Sequence, residues 1–377
     1  MFKFFAMEIK EFQRKSRYCF RGGDRMRLVD IKKVKPGMIL ALPIYDSKNG
    51  KKMLAEKVEL NCYYLNRLKE LKYTHIYIKD PGDDDDFNVS QAICQPVKHE
   101  TKIKATMVLK NIVATYYQTK KLDIVKLQDL ITDILDQIIG NNEIFYNMLD
   151  IRTYDNYTYE HSVNVCILSL IIGYSLQLRR DELRLLGIGA VLHDVGKIFI
   201  ESEILNKPGR LETEEFEKIK THTSRGYDFL KTKECVSFIA AHIAYQHHER
   251  NDGSGYPRGL TADQIHRFAK IVAVTDVYDA MTAHRVYRSA LPSYLAVAEL
   301  RAGAGVRYDR EIVELLVEFV ALYFIGSELS LDNGERVLVV NVSRTQCLVK
   351  VLDGPIAGTT FDLYQYPEIK VITEKTD

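Results

Sequence analysis

RDELRLLGIGAVLHDVGKIF, residues 180–199, carries Leu183, Leu186 and Val191 at helical spacing, then His193-Asp194 just before Gly196. The apolar positions predict a helix with one buried face, and the two ligand-type residues fall where that helix stops. Adjacent helical residues lie about 100° apart, so this pair can reach two neighbouring metals. Around it stand His161 upstream and His222, His247, His248 and Asp276 downstream. Apart from the two adjacent pairs these residues recur every 25 to 32 positions, within a stretch of about 115. That regularity suits a helical bundle in which successive helix ends each send a ligand into a shared interior pocket.

The local sequence predicts where each ligand sits. His161 lies at the start of an apolar helix beginning near Thr158. His222 is expected to open the helix after the acidic stretch from Glu212 to Glu217, and His247-His248 to end the helix containing Phe238 to Tyr245. Asp276 falls inside the apolar segment Ile271 to Met281, where a carboxylate is costly to bury unless a cation compensates it. Five imidazoles with two carboxylates favour iron, manganese or zinc over calcium or magnesium, which prefer all-oxygen shells. His75, His99, His242, His266 and His284 stand alone and are read as surface or hydrogen-bonded residues outside the site.

Composition bounds the rest. The chain has 377 residues, 46% hydrophobic and 27% charged, an ordinary globular balance. Its net charge of +1 supplies no global field for a nucleic-acid polymer or an anionic membrane, so an anionic substrate has to be captured locally. Six scattered cysteines without a CxxC pair read as reduced thiols. The run Val163 to Leu178 contains Asn164, Ser169, Ser175 and Gln177 and is too short for a membrane span; a buried core helix is expected. Glu8, Lys10 and Glu11 interrupt the apolar N-terminus before a signal peptide could form. A cytoplasmic protein follows.

Five segments are expected. Residues 1–25 read as an N-terminal extension, non-native or disordered. Residues 26–80 carry a Pro36-Gly37 turn, an Asn49-Gly50 hairpin signal, a helix with Tyr64, Leu65, Leu68 and Leu71 on one face, and a strand from Thr74 to Ile78. They form a small α+β accessory module for regulation or homodimerisation. Residues 81–97, with four consecutive aspartates from Asp83 to Asp86, form an acidic linker. Residues 98–325 are dominated by helical periodicity, as in Ile131, Ile134, Leu135 and Ile138, and form an all-α domain. Residues 326–377 form a β-rich appendage packed on that domain, with turns at Asp332-Asn333-Gly334 and Asp353-Gly354-Pro355.

The motifs now name a family. His193-Asp194-Val195-Gly196-Lys197, followed by HHERNDGSGYP at residues 247–257, strongly resembles the HD-GYP subfamily of the HD phosphohydrolase superfamily. The resemblance extends through Tyr157 to His161 and through DVYDAMTAHRVYR at 276–288, covering roughly residues 130 to 320. It implies a mainly α, HD-type bundle and a bacterial phosphodiesterase acting on the second messenger cyclic di-GMP, with linear pGpG or GMP as product. It implies divalent metals, iron or manganese. His161, His193, Asp194 and Asp276 would hold one ion; Asp194, as bridge, would join His222, His247 and His248 on the other. Members with a third metal carry an acidic residue where this chain has Tyr157, so two ions are expected here. Two metals about 3.5–4 Å apart lower the pKa of a shared water for in-line attack on phosphorus.

Three further groups join the site. Lys197 would stabilise the charge developing on the scissile phosphate and help protonate the leaving group. The loop Gly255-Tyr256-Pro257 would shape the site, present an aromatic face to a base, and contact a signalling-protein partner. Arg285 and Arg288, three apart, suit phosphate oxygens or the acceptor edge of guanine. Asp279 reads as a cap or supporting partner rather than a ligand. Two other functions stand beside the enzyme: a non-turnover cyclic di-GMP receptor or scaffold, and an HD hydrolase of another cyclic dinucleotide.

Overall fold

The computed structural model describes residues 26–46, 51–71, 73, 75–79, 96–141, 144, 146, 157–205, 207, 209–234, 236–283 and 291–375. The extension at 1–25, the Asn49-Gly50 turn and the four aspartates lie outside the described residues.

In the N-terminal module the strands β1 (Met26–Asp30), β5 (His75–Lys79) and β2 (Ile39–Leu40) form an antiparallel sheet in the order β1-β5-β2. β3 (Ile44–Tyr45) and β4 (Lys52–Leu54) pair as a ribbon. Helix α1 (Cys62–Glu70) begins where the Asn61 side chain accepts the Tyr64 N–H, 2.9 Å away, a standard N-cap. Its Leu65 and Leu68 bury against Val29, Leu40 and Ile76.

The helical domain follows the apolar periodicity. α2 (His99–Thr119) and α3 (Ile124–Ile139) lead into it, and α3 buries a stripe of Leu127, Leu130, Ile131, Ile134, Leu135 and Ile138. Each such side chain contributes about 1.5–3 kcal/mol when fully buried. α4 (Tyr157–Ser175) is the centre of the bundle. Val163, Val165, Ile167, Leu168, Leu170 and Ile172 point round its whole circumference and are all buried, the signature of a helix with no solvent face. α5 (Arg180–Val191) and α9 (Arg267–Thr282) pack on it, and α8 (Phe238–Gln246) packs on α5, α7 (Thr213–Leu230) and α9, with the short α6 (Ser202–Leu205) and then α10 (Ser293–Gly303) and α11 (Arg310–Phe319) completing the domain. Among the described residues no helix is long and apolar enough to cross a membrane.

The appendage is an antiparallel sheet of five strands, β6 (Glu328–Leu331), β7 (Arg336–Val342), β8 (Cys347–Val351), β9 (Thr360–Asp362) and β10 (Val371–Lys375), in the order β10-β6-β7-β8-β9. The Asp332-Asn333-Gly334 turn joins β6 to β7, with Gly334 at φ +86°, where a side chain would be strained. Val337 faces Val351 and Val339 faces Val349 in register. The appendage packs on the helical domain through Arg344, which pairs with Glu318 and lies 4.6 Å above the Phe319 ring. It also packs on the N-terminal module, a contact its sequence pattern does not announce: Ala41 and Tyr77 share one apolar cluster with Leu329, Val337, Val349 and Phe361.

Candidate metal centre

The seven predicted residues converge on one interior site. His161 comes from the first turns of α4, His193 and Asp194 from the turn after α5, His222 from α7, His247 and His248 from the end of α8, and Asp276 from α9. His193 and His247 are wholly inaccessible to solvent. One placement differs from expectation: His222 lies in the middle of α7, not at its start. The acidic stretch is itself the first turn of that helix. The Glu212 N–H donates to Glu215 Oε2 at 2.8 Å, and Glu214 and Glu215 lie at the positive end of the helix dipole.

Three of the imidazoles are oriented in the same way. The Nδ1 of His193 lies 2.7 Å from Ala190 O, that of His222 2.7 Å from Ile219 O, and that of His247 2.9 Å from Ala244 O. A carbonyl can only accept, so each Nδ1 carries the proton and each Nε2 presents a lone pair to the interior. His161 Nδ1 meets Asp279 Oδ2 at 2.7 Å, leaving its Nε2 3.1 Å from Asp276 Oδ1. Asp279 therefore supports a ligand-type residue from behind.

Asp194 stands between two groups. Its Oδ2 lies 3.3 Å from His193 Nε2 and 3.8 Å from His161 Nε2. Its Oδ1 lies 3.4 Å from His222 Nε2 and 3.8 Å from His247 Nε2. The donor atoms of Asp194, His222, His247 and His248 lie within 4.8 Å of one another, as do those of His161, His193 and Asp276, so each group could hold a metal ion. The donors also fit a cation: His193 Nε2 and Asp194 Oδ1 are buried without any hydrogen-bond partner, which is costly in a low-dielectric interior.

The electrostatics point the same way. Burial lowers His222 to about 4, His248 to about 3, and His247 far below its ordinary value, so these rings are neutral and able to ligate. Burial would also lower His161, but the carboxylates of Asp276 and Asp279 outweigh it and raise the group to about 9. Burial would raise Asp194 and Asp276, yet Lys197 and the imidazoles hold Asp194, and His161 and His248 hold Asp276, well below the usual carboxylate range. The neutral rings of His222, His247 and His248 beside two anionic carboxylates form a polar interior that a divalent cation would satisfy.

The surrounding groups divide. Lys197, in the 3-10 turn Val195–Phe199, places Nζ 2.5 Å from Asp194 Oδ2. Gly196 lets this turn touch α7: a Cβ there would fall 1.9 Å from His222 O and 2.6 Å from Gly226 N. Tyr256 packs its ring 4.7 Å from the His248 ring, and Lys220 Nζ lies 5.5 Å from the same Tyr256 ring, a cation that sequence patterning had not singled out. Its signal was available, two residues before His222. Pro257 is exposed. Arg285, Arg288 and His284 lie outside the described residues, as does Asp155, and only the backbone of Tyr157 is described. The other lone histidines stay out of the centre: His99 packs on Tyr45, His242 on Phe238, and His266 accepts the Phe268 N–H.

Known proteins align with this part of the chain. Residues 126–312 match the family model described as HD domain. A cyclic di-GMP phosphodiesterase of Pseudomonas aeruginosa is 33% identical over 219 residues, 58% of this chain and 53% of the relative. A cyclic di-GMP phosphodiesterase of Thermotoga maritima is 35% identical over 237 residues, 60% of this chain and 64% of the relative. The 3'3'-cGAMP-specific phosphodiesterase 2 of Vibrio cholerae is 33% identical over 180 residues, 47% of this chain and 34% of the relative. The alignments thus span 53% and 64% of the first two relatives' own length.

Proposed function

We propose that residues 126–312, which match the HD domain family model and carry the motifs of its HD-GYP form, make this protein a metal-dependent phosphodiesterase that hydrolyses cyclic di-GMP. The observation that carries the reading is the posture of Asp194, whose two oxygens face two separate groups of nitrogen donors. Asp194 is then the ligand shared by two ions, with His161, His193 and Asp276 on one and His222, His247 and His248 on the other. Iron or manganese suits this mixed nitrogen and carboxylate shell. When bound, the metals supply an activated water and neutralise the phosphodiester charge. Lys197, beside Asp194 and partly exposed, is positioned to offset charge on a phosphate and to give a proton to the leaving oxygen. Arg285 and Arg288 remain the proposed guanine and phosphate contacts. The Gly255-Tyr256-Pro257 loop shapes the entrance and offers a surface to a signalling-protein partner. We place the protein in the bacterial cytoplasm, with the N-terminal module serving regulation or homodimerisation.

A second substrate reading has its own support, since one similar protein is named for 3'3'-cGAMP. One experiment separates these readings. The full chain, prepared without oxygen and loaded with iron or manganese, is assayed on cyclic di-GMP and on 3'3'-cGAMP beside His193→Ala and Asp194→Ala. Turnover of cyclic di-GMP with loss of metal and activity in both variants is expected. Preferential turnover of cGAMP moves the substrate assignment, and tight cyclic di-GMP binding by metal-loaded protein without turnover makes it a receptor.

A further inference from the structure

Glu249 follows the His247-His248 pair directly, where an acid could serve as another ligand or as a base. The structure turns it the other way. Glu249 is 2% exposed, and its two oxygens accept backbone N–H groups from across the following loop, Oε1 from Arg258 at 2.8 Å and Oε2 from Leu260 at 2.9 Å. Both carboxylate oxygens are engaged at the far end of the segment that carries Tyr256. Hydrogen bonds from backbone amides to an ionised carboxylate are short and among the stronger kind.

The rest of the loop is folded onto the same point. The Tyr256 N–H donates to His248 O at 3.2 Å, and the Gly253 N–H donates to Arg250 O at 2.9 Å. Gly255 lies so close to the chain below it that a Cβ would fall 2.4 Å from Glu249 Cα and from Arg250 N. The Arg258 guanidinium sits 4.9 Å above the Tyr245 ring, on α8. The segment is thereby tied to the helix that ends in His247-His248, and Tyr256 is delivered against His248.

We propose that Glu249 is a positioning residue for the active centre: by holding the Arg258 and Leu260 amides it fixes the Gly255-Tyr256-Pro257 loop and sets Tyr256 against His248. It neither binds metal nor transfers a proton, and its effect on substrate passes through Tyr256. The kinetic part rests on the phosphodiesterase reading; the structural part does not.

The test uses the metal-loaded full chain with Glu249→Gln, which keeps the shape but only one carbonyl acceptor, and Glu249→Asp, which keeps the charge but shortens the reach. Amide hydrogen exchange over residues 250–262 should quicken in both variants, with metal content unchanged. On cyclic di-GMP, Glu249→Gln should raise KM about tenfold with kcat within about threefold. In a Tyr256→Ala background the same change should add nothing further, because both variants remove one device. Unchanged exchange in both variants overturns the proposal, as does additivity with Tyr256→Ala. Loss of metal by folded Glu249→Asp and Glu249→Gln would make Glu249 part of the metal shell and also overturn it. If the unmodified protein shows no turnover, the function reading falls while the exchange comparison still decides the role of Glu249.

Discussion

Gly196 shows how little room separates the His193-Asp194 turn from the helix that bears His222. Its missing side chain is replaced by the backbone of α7 itself, since a Cβ would overlap His222 O and crowd Gly226 N. Backbone cannot rotate away as a side chain can, so the helix would have to retreat. Gly196→Ala should therefore destabilise the protein by at least about 1–3 kcal/mol. It should also weaken metal binding at the proposed site of Asp194, His222, His247 and His248 more than at the other. Thermal melts together with metal analysis check this, and a variant with full metal content and an unchanged melting temperature would refute it. The glycine itself was legible in the motif HDVGK, but not its reason. The close approach joins residues 196 and 222, and no local periodicity carries that information.

Among the elements, legibility followed the source of order. α3 and α5 were readable because apolar spacing sets their buried faces, and α4 because its apolar run is continuous. The start of α7 was misread because its first turn is made of glutamates, which resemble a solvated loop until their capping and dipole roles are considered. Asp279 was readable as a supporting group because Asp276 already filled the ligand role, whereas the orientation of Glu249 depends on amides nine and eleven residues away.

β10 offers a sharper test. Glu374 accepts from Ser327 Oγ at 2.7 Å, its Oε2 is buried without a hydrogen-bond partner, and burial raises its carboxyl above the ordinary value. A raised folded-state value means that the native protein holds this proton more firmly than the unfolded chain does. Stability from this group is complete below the unfolded value of about 4.5 and declines as pH rises through the folded value. Glu374→Gln keeps an acceptor for Ser327 and removes the buried charge. It should raise the melting temperature by about 2–4 °C at pH 7 and by nothing near pH 4. An equal shift at both pH values would exclude ionisation of Glu374 as the cause.

The molecule as a whole is joined through its two small β units as well as through the bundle. Tyr77 is 2% exposed, its carbonyl accepts the Ala41 N–H at 2.8 Å, and its apolar neighbours lie in the appendage. Tyr77→Ala should cost about 3–5 kcal/mol and loosen both units together. Hydrogen exchange should quicken in Arg336–Val342 as well as in His75–Lys79. Quickening confined to the N-terminal module would show that the shared cluster does not couple them. The shared cluster also gives folding a direction in time. A ribosome releases Ala41 and Tyr77 long before Leu329, Val337 and Phe361 exist, so the module formed first keeps part of its apolar surface open while the whole helical domain is made. That surface closes only once the strands β6 to β9 have been made, so a unit translated early is completed by one translated late.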